Sequence, residues 1–589
     1  MHDNEIIVIG GGNVGGKASG LIKVKDFLSG LSDSNSRPFA DNLSFPQTAV
    51  VASDVFKRFV EFNKLEGLIA KVEKADYKQN DCEKLRRAFL EGEFPDDDVN
   101  SLSTILNSFK NPVIVRSSSL LEDQKGAAFA GKYESVFVGN QGEIAARKKM
   151  LFEAIKKVYS TTYNQNALEY RCKHGFIGEK EAMAIVIQGV VGKRYKHYYL
   201  PAMAGVAFSQ NGYCWNKDMR KEDGLVRLVF GLGTRAVGRG YVRLFSPTRP
   251  SVRPEGTDVN NIQKCSQKKV DIVDFESNDL KTVHFRELIK DGFDCYPNSQ
   301  SMVSLRDGTY LYRPVSNIWD NMHVPIMTMD GVLHSPWMKL DIAKTLSWLL
   351  KELENGLGFP VDVEFAINVE PEEERARIFI LQTRPLSERE GHKPEPIPIL
   401  KEEDTIVSVI GNLPTSYVPG IEYLVYVDDI VYHKWPHKEK QTVARAVGKL
   451  NEMLKGKRFA LIGPGRWGSW NPDLGVPVNY SEISNCLLLV EVARRKATYV
   501  PEVSFGSHFF QDLIEDNIAY LPVYPDNADV VFNDEFFQRK SEFSRLLTDD
   551  FYRQFDTLIR VIHIPSIRGR NFANAILNGE LERAVLFVN

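Results

Sequence analysis

The sequence has few cysteines, no long apolar run and almost no net charge. Its 589 residues include six cysteines, and no two of them form a C-x-x-C pair. This spacing disfavours a disulfide framework or a zinc ribbon, and it favours a reducing compartment. No apolar segment approaches the roughly 20 residues that a membrane-spanning helix needs, and the start MHDNE predicts no signal peptide. We therefore expect a cytoplasmic protein that does not bind membranes.

The composition is that of an ordinary globular protein. Apolar residues make up 43% and charged residues 26% of the chain, which is typical of folded domains. A formal net charge of -3 gives no overall field that would attract nucleic acid, so we expect no nucleic-acid partner. A chain of this length predicts more than one domain. The composition leaves the oligomeric state open.

The segment EIIVIGGGNVGGKASG predicts a strand, a glycine turn and a helix, which is the outline of a phosphate-binding turn. Gly10, Gly12 and Gly15 fit the dinucleotide pattern G-x-G-x-x-G. That pattern also needs an acidic residue about 20 positions later, after a second strand. Here the position falls in the polar loop SDSNSRPF, with no strand before it. The dinucleotide interpretation is therefore weak.

The same segment also fits most of a P-loop. Gly11, Gly16 and Lys17 match G-x-x-x-x-G-K, but the next residue is Ala18 and Ser19 comes one place late. A P-loop needs a Ser or Thr directly after the lysine to hold Mg²⁺. A third alternative is a nucleotide site that uses Lys17 without either fold.

Further along the chain, two segments could supply the rest of such a site. Arg116 ends the apolar strand NPVIVRSSS, and VDVEF and ILQTRP form the two strands of a predicted hairpin. Strand alternation places Asp362 and Glu364 on one face, and Gln382 and Arg384 on one face of the second strand. Two carboxylates on one face favour a divalent-cation site. The alternative is a salt-bridge ladder on a half-exposed sheet.

Five motifs together resemble one family: GGKASGL, VIVRSSSLLEDQKGAAFAGKYESVFV, AIVIQGVV with AGVAFS, FGLGTRAV, and VDVEFAI with IFILQTRP. Their order and spacing resemble the ATP-grasp nucleotide-binding domain of phosphoenolpyruvate synthase and pyruvate phosphate dikinase. The resemblance covers residues 1–390, about two-thirds of the chain. It implies an α/β (α+β) fold of the ATP-grasp type, with two subdomains around the nucleotide.

The resemblance implies a role for each matching residue. Lys17 contacts the ATP phosphates, and Arg116 neutralises charge on the transferring phosphoryl group; both are assigned as catalytic and ATP-binding. Gly131 and Ser135 lie in FAGKYES, which matches a mobile loop that closes over the phosphates, with Ser where the family commonly has Thr. Gln188 matches a glutamine near the adenine.

The predicted hairpin supplies the implied metal ligands. Glu364 and Gln382 match the family's Mg²⁺-binding pair, with Asp362 beside them, and Arg384 matches an arginine that binds ATP. The implied cofactors are therefore ATP and Mg²⁺. The chemistry is reasonable because phosphoryl transfer depends on positioning and charge neutralisation more than on covalent help from the protein.

The sequence also departs from the family. It has no T-x-H-A-like phosphohistidine motif, and the proline-rich segment at 391–400 is followed by only about 190 residues, whereas a (β/α)₈ barrel needs roughly 250. We therefore expect a nucleotide-binding domain at 1–390, a stiff linker at 391–400 and a separate mixed α/β domain at 401–589.

Two C-terminal segments carry candidate acceptor-binding residues. GPGRWGSWNPDLG contains Arg466, which could bind an anion, and Trp467, which could stack on a ring. SFGSHFFQDLI contains His508, which could accept a phosphoryl group or act as a general base. The alternatives are a structural loop whose tryptophans fill the core and a histidine that packs at a helix end.

These features favour an ATP- and Mg²⁺-dependent phosphotransferase with an unknown small-molecule acceptor. One alternative is an ATP-grasp ligase that forms an acyl-phosphate, which would release ADP in the presence of a carboxylate and an amine. A second is a non-catalytic ATP-binding regulatory protein. The presence of Lys17, Arg116, Glu364 and Gln382 argues against that alternative.

Overall fold

The structure of the chain is a computed structural model. It describes these residues: 6–31, 36–74, 78–119, 133–164, 167–168, 171, 181–211, 218–237, 242–290, 296, 299–315, 323–334, 336–370, 375–386, 395–411, 413, 415–469, 471–494, 503–504, 509, 513, 517–567, 569–579 and 581–589.

The described strands, in chain order, are β1 (Ile7–Ile9), β2 (Leu43–Ser44), β3 (Thr48–Val51), β4 (Val113–Ser118), β5 (Ser135–Val138), β6 (Ala184–Gly189), β7 (Lys193–Tyr195), β8 (Tyr198–Leu200), β9 (Met203–Phe208), β10 (Leu225–Val229), β11 (Arg243–Phe245), β12 (Lys269–Asp274), β13 (Asp279–His284), β14 (Val303–Asp307), β15 (Tyr310–Tyr312), β16 (Val324–Met327), β17 (Val361–Glu370), β18 (Arg375–Pro385), β19 (Thr405–Ile410), β20 (Ser416–Ile421), β21 (Tyr423–Val427), β22 (Phe459–Pro464), β23 (Leu488–Val492), β24 (Ala519–Val523), β25 (Val531–Phe532), β26 (Ile559–His563), β27 (Ala573–Asn578) and β28 (Arg583–Val588).

The described α-helices are α1 (Gly15–Ser29), α2 (Arg37–Ala40), α3 (Ser53–Phe62), α4 (Glu66–Val72), α5 (Gln79–Glu91), α6 (Asp96–Ser108), α7 (Ile144–Thr161), α8 (Thr234–Val237), α9 (Val259–Cys265), α10 (Phe285–Lys290), α11 (Asp330–Leu333), α12 (Ile342–Leu357), α13 (Asp429–Lys434), α14 (Lys440–Met453) and α15 (Phe543–Leu546). Among the described helices, none combines the length and the apolar character needed to cross a membrane.

The chain forms two compact units. The first consists of 1–209, 226–236 and 266–386, and the second consists of 210–225, 237–265 and 387–589. The predicted domain limits at 390 and 401 stay a proposal.

The first unit contains a sheet with the strand order β1-β3-β6-β4-β5. β1 pairs with β3 in parallel, and the remaining neighbours are antiparallel. One face carries alternating apolar residues such as Val113 and Val115, which pack against α3, α5, α6 and α7 in one core. The opposite face packs Val50 and Val186 against Ala18 of α1. Strand alternation therefore divides β4 into a core face and a face that carries Ile114 and Arg116.

A second sheet of this unit contains β10, β9, β17, β18 and β2 in that order. The predicted hairpin is confirmed: β17 and β18 are antiparallel, with Glu364 opposite Gln382 and a bulge directly after Glu364. The preceding segment LDIAKTLSWLLKELENGLG predicts an amphipathic helix that stops at a glycine. The structure confirms it: α12 is followed by Gly358 in a left-handed conformation with φ of 77°, which favours glycine. The unit also has the antiparallel sheets β13-β12-β8-β7 and β15-β14-β16.

Two regions differ from their sequence patterns. Apolar residues at helical spacing predict one helical stretch over 53–94. The structure has α3, α4 and α5 there, and the break between α3 and α4 lies at Lys64, which adopts a positive φ of 55°. The sequence from 250 to 330 is polar and has only a weak pattern, yet it contains β12 to β16. β13 is largely exposed, so its sequence lacks the apolar signal of a buried strand.

The second unit contains two five-stranded sheets. One is antiparallel with the order β20-β27-β28-β19-β25, and the other has the order β24-β23-β22-β21-β26. In the latter, β21 to β24 are parallel and β26 is antiparallel. The two sheets share one apolar core. The chain as a whole is mixed α/β, as the sequence predicted.

Candidate functional site

The glycine turn after β1 is held by a carboxylate of the protein itself. The amides of Gly11 and Gly12 donate to the two carboxylate oxygens of Asp54, at 3.1 and 3.0 Å. Burial opposes ionisation of Asp54, but hydrogen bonds from Arg58 and from these amides outweigh it and lower the pKa of Asp54 to about 2. Because a carboxylate already occupies these donors, the turn is not arranged as an open P-loop or dinucleotide turn.

The end of the turn packs closely against β4. A Cβ atom on Gly15 would lie 1.7 Å from the carbonyl oxygen of Ser118, and Gly15 has a φ of 77°. The amide of Ala18 donates to the Ser118 hydroxyl at 3.2 Å. Gly15 therefore provides clearance for the backbone beside Lys17. The Lys17 ammonium group in turn donates to the hydroxyl of Ser117, at 3.0 Å.

Arg116 connects β4 to the hairpin. Its Nη2 atom donates to Oε2 of Glu364 at 2.8 Å and to Oε1 of Gln382 at 2.7 Å. The Arg116 and Glu364 side chains are 12% and 14% exposed, so the ion pair is shielded from water on most sides. Among the described residues, Nε of Arg116 is buried without a hydrogen-bond acceptor. The described contacts therefore hold the guanidinium group through Nη2, at the oxygens of Glu364 and Gln382.

A second pair lies one step along the hairpin on the same face. Nε of Arg384 donates to Oδ2 of Asp362 at 2.7 Å, and these residues are register partners. Asp362 is fully buried and Arg384 is 10% exposed. The carboxylate of Asp362 is thus bound to an arginine, and its metal-binding role stays a prediction.

Two other predicted residues lie on the Arg116 face of the first sheet. Ser135 is the register partner of Arg116 in β5, and Gln188 of β6 pairs with Ile114. Nε2 of Gln188 donates to the carbonyl oxygen of Leu381 at 3.1 Å, which links β6 to the hairpin strand that carries Gln382. Gly131 lies outside the described residues.

The residues present fit a divalent cation. The oxygens of Glu364 and Gln382 converge on one cationic nitrogen atom of Arg116. Carboxylate and amide oxygens are also the ligands that Mg²⁺ prefers, together with phosphate oxygens and water. A cation bound at this pair would replace the guanidinium group as the positive charge between the two oxygens.

Two of the C-terminal candidates, Arg466 and Trp467, are buried and do not form an open binding surface. Arg466 is 1% exposed and Trp467 is fully buried. A Cβ atom on Gly463 would lie 2.6 Å from the Trp467 indole, so the ring packs directly on β22. His508 lies outside the described residues. The acceptor-binding roles of these three residues stay predictions.

A buried acid in the second unit was not identified from the sequence. Glu491 of β23 is fully buried and accepts hydrogen bonds from the Trp467 amide, the Ser504 amide and hydroxyl, and the Tyr520 hydroxyl. Burial raises its pKa to about 7, and these hydrogen bonds oppose the increase. The available signal was a single glutamate within the apolar run CLLLVEVA. The contact of Asp54 with the glycine turn had no comparable signal, because the two glycine amides lie 42 and 43 residues away.

Comparison with known proteins identifies one domain family. The model of the pyruvate phosphate dikinase AMP/ATP-binding domain matches residues 12–404. This range contains every predicted residue of the ATP site, from Lys17 to Arg384.

Similar proteins are longer than this chain. A probable phosphoenolpyruvate synthase of Methanocaldococcus jannaschii is 24% identical over 398 residues, which are 65% of this chain and 27% of that protein. The phosphoenolpyruvate synthase of Aeropyrum pernix is 24% identical over 430 residues, which are 69% of this chain and 45% of that protein. A rifampicin phosphotransferase of Bacillus subtilis is 26% identical over 169 residues, covering 28% of this chain and 17% of its own length. The chain therefore spans less than half the length of these relatives.

Proposed function

This chain belongs to the family of the pyruvate phosphate dikinase AMP/ATP-binding domain, and from that premise we propose that it is an ATP- and Mg²⁺-dependent phosphotransferase with a small-molecule acceptor. The observation that carries the proposal is the convergence of Glu364 and Gln382 on Arg116. A transferring phosphoryl group needs this combination of a shielded cation and hard oxygen ligands.

In the proposed reaction, Arg116 binds the terminal phosphate and offsets the charge that develops on its oxygens. Lys17 donates to the hydroxyl of Ser117, the residue after Arg116. In the proposed reaction it binds the same phosphate chain as Arg116. Ser135, opposite Arg116 in β5, binds at the edge of the phosphate site. Gln188 fixes β6 to the hairpin through Leu381 and so positions the nucleotide end of the site.

Glu364 and Gln382 would hold Mg²⁺, which would neutralise part of the charge on the phosphate oxygens. Arg384 pairs with Asp362 on the same face of the hairpin and so fixes the position of that carboxylate beside the proposed metal ligands. Relatives named phosphoenolpyruvate synthase and rifampicin phosphotransferase support small molecules as the acceptor class.

The proposal is tested by incubating the full chain with Mg²⁺ and ATP labelled in the β or γ phosphate, against a panel of small hydroxyl and carboxylate compounds. We expect acceptor-dependent transfer of label, and loss of transfer in Arg116→Ala and Glu364→Gln. Arg375→Ala is a matched control, since Arg375 lies on the same hairpin but contacts Asn42.

The nucleotide product separates the alternatives. AMP indicates a dikinase-like reaction, and ADP indicates a simple kinase. ADP that forms only with a carboxylate and an amine together indicates a ligase and would overturn the proposal. ATP binding with no label transfer across the panel would favour a regulatory protein.

A further inference from the structure

Two turns of the sheet β13-β12-β8-β7 lie next to each other. The first turn joins β7 to β8 and contains His197, and the second joins β12 to β13 and contains Glu276. β8 and β12 are antiparallel neighbours, in which Asp274 at the end of β12 is the register partner of Tyr198. The amide of Phe275 also donates to the carbonyl oxygen of His197, at 2.8 Å. The pairing of the two central strands therefore fixes one turn beside the other.

Three side chains with metal-binding atoms converge between these turns. One ring nitrogen of His197 and one carboxylate oxygen from each of Asp274 and Glu276 all lie within 4.8 Å of one another. Zinc forms bonds of roughly 2.0–2.2 Å to such ligands, so the ligand atoms of a tetrahedral site lie roughly 3.4 Å apart. The cluster is slightly wider than that, and Glu276 is exposed, so rotation of its side chain is enough to close the site.

Two of the three ligands are available to a cation. Within the part of the chain that the structure describes, neither the His197 ring nor the Glu276 carboxylate has a hydrogen bond or an ion pair. The His197 ring packs against Tyr198, with 3.9 Å between the ring centroids. This contact restricts the orientation of the imidazole, and a ligand that is already oriented loses less entropy when it binds a metal.

The third ligand, Asp274, is held in the ionised form. Its side chain is buried, Oδ1 accepts the Glu276 amide at 3.1 Å, and Oδ2 accepts Nζ of Lys281 at 3.1 Å. Burial opposes ionisation, but these hydrogen bonds outweigh it and lower the pKa of Asp274. A metal ligand must be deprotonated to bind, so Asp274 meets this requirement without losing a proton on metal binding.

Lys281 does not neutralise the whole cluster. Asp274 and Glu276 carry two formal negative charges and Lys281 carries one positive charge, so a net negative charge remains for a cation. The Lys281 side chain is 47% exposed, and its ammonium group can therefore move into water when a metal ion takes its place at Oδ2. A metal ion and Lys281 thus compete for the same carboxylate.

We propose that His197, Asp274 and Glu276 form a binding site for a divalent metal ion, with Zn²⁺ preferred and water completing its coordination. Carboxylates alone would favour Mg²⁺ or Ca²⁺, and the imidazole shifts the preference to Zn²⁺. The site belongs to a different sheet from Glu364 and Gln382 and does not depend on the proposed phosphotransferase function.

The bound metal would join the two turns and so support a contact with the first sheet. Asn278, in the same turn as Glu276, accepts the Gly139 amide at its carbonyl oxygen and the Gln141 amide at its side chain, at 2.9 and 3.3 Å. Gly139 directly follows β5. The expected role of the metal is therefore to stabilise this part of the first unit.

The test is calorimetric titration with Zn²⁺ of the full-length Glu364→Gln variant, after removal of metals with a chelator and without nucleotide. This parent variant lacks one ligand of the proposed Mg²⁺ site, so its result is independent of that site. Saturable binding of one Zn²⁺ is expected. His197→Ala and Glu276→Gln, each in this parent, should weaken binding by about tenfold or more, because loss of even a residue that only supports a metal ligand typically costs about 10–100-fold. Lys281→Met should strengthen binding, because no ammonium group then competes for Asp274.

The matched control is His284→Ala, since His284 lies in β13 of the same sheet and outside the cluster. Zn²⁺ should also raise the melting temperature of the parent variant and not that of His197→Ala, because a ligand that binds only the folded state stabilises it. Absence of saturable Zn²⁺ binding would overturn the inference. Equal affinity in the parent, His197→Ala and Glu276→Gln, or an equal loss in His284→Ala, would assign the binding to other side chains and would also overturn it.

Discussion

Nη2 of Arg116 lies 2.8 Å from Oε2 of Glu364, although the two residues are 248 positions apart in the chain. The contact joins the first sheet to the hairpin and places a cation on one of the two oxygens predicted to bind Mg²⁺. The same nitrogen atom lies 2.7 Å from the other oxygen, on Gln382. The two predicted metal ligands and the predicted phosphate-binding arginine are thus hydrogen-bonded to one another.

This contact predicts that metal binding and nucleotide binding are coupled. Arg116→Ala should lower the dissociation constant of Mn²⁺ by about tenfold or more without nucleotide, because a charge-assisted hydrogen bond no longer competes for the oxygens. The same change should reduce phosphoryl transfer by about 10³-fold. Electron paramagnetic resonance titration measures the first effect and label transfer measures the second. Unchanged Mn²⁺ affinity would contradict the coupling, with Arg375→Ala as the control.

Two glycines of the turn, Gly11 and Gly15, should differ sharply in how much their replacement by alanine destabilises the fold. Gly15→Ala should reduce the free energy of unfolding by about 2 kcal/mol or more, because the new Cβ atom would overlap the Ser118 carbonyl oxygen and the residue has a positive φ. Gly11→Ala should have little effect, since no atom lies within 4 Å of its Cβ position. Urea denaturation of both variants checks this. Equal losses would show that the turn lacks the close packing described above.

The lowered pKa of Asp54 predicts that the first unit loses stability in acid. Its pKa is lowered from 3.8 to about 2 in the folded chain, so its contribution to stability is present above about pH 4 and is lost as the pH falls through 2. Asp54→Asn should remove this acid-limb contribution and reduce stability at pH 7 by about 1 kcal/mol, after allowance for solvent screening. Circular dichroism during acid titration follows the effect. Asp97→Asn, an exposed acid on α6, should behave as the wild type.

For Glu491 in the second unit, we expect stability to depend on pH in the opposite direction. Its pKa is raised from 4.5 to about 7 on folding, so the folded chain retains a proton that the unfolded chain releases between these values. Stability from this group is complete below about pH 4.5 and decreases by roughly 3 kcal/mol as the pH rises through 7. Hydrogen exchange of β22 to β24 amides between pH 5 and 8 measures the slope after correction for intrinsic exchange.

Glu491→Gln isolates this effect. The amide cannot ionise, so the slope should disappear even if absolute stability also changes, because its NH₂ group is a poor partner for the donors around it. The exposed Glu403→Gln variant is the control. A slope that persists in Glu491→Gln would assign the pH dependence to another group.

Local pattern was sufficient to predict several parts of the molecule. The hairpin of β17 and β18, strand β4 and helix α12 with its glycine stop all follow from periodicity and turn residues within short segments. Alternation placed Asp362 and Glu364 on one face. Alternation did not decide between a metal site and a salt-bridge ladder for these two residues, because both produce the same strand pattern. The structure contains two ion pairs on this face, Asp362 with Arg384 and Glu364 with Arg116, and the metal site stays a proposal.

The sequence by itself determined the residue types and the elements with strong periodicity, such as β4, the hairpin of β17 and β18, and α12, because strand and helix periodicity depend on neighbours a few positions apart. Only the tertiary structure decided which charges meet. The Asp54 carboxylate at the glycine amides, Arg116 between Glu364 and Gln382, and Glu491 beneath Trp467 all join residues separated by tens to hundreds of positions. Such contacts depend on how sheets and loops pack in three dimensions, and no local pattern in the chain encodes them.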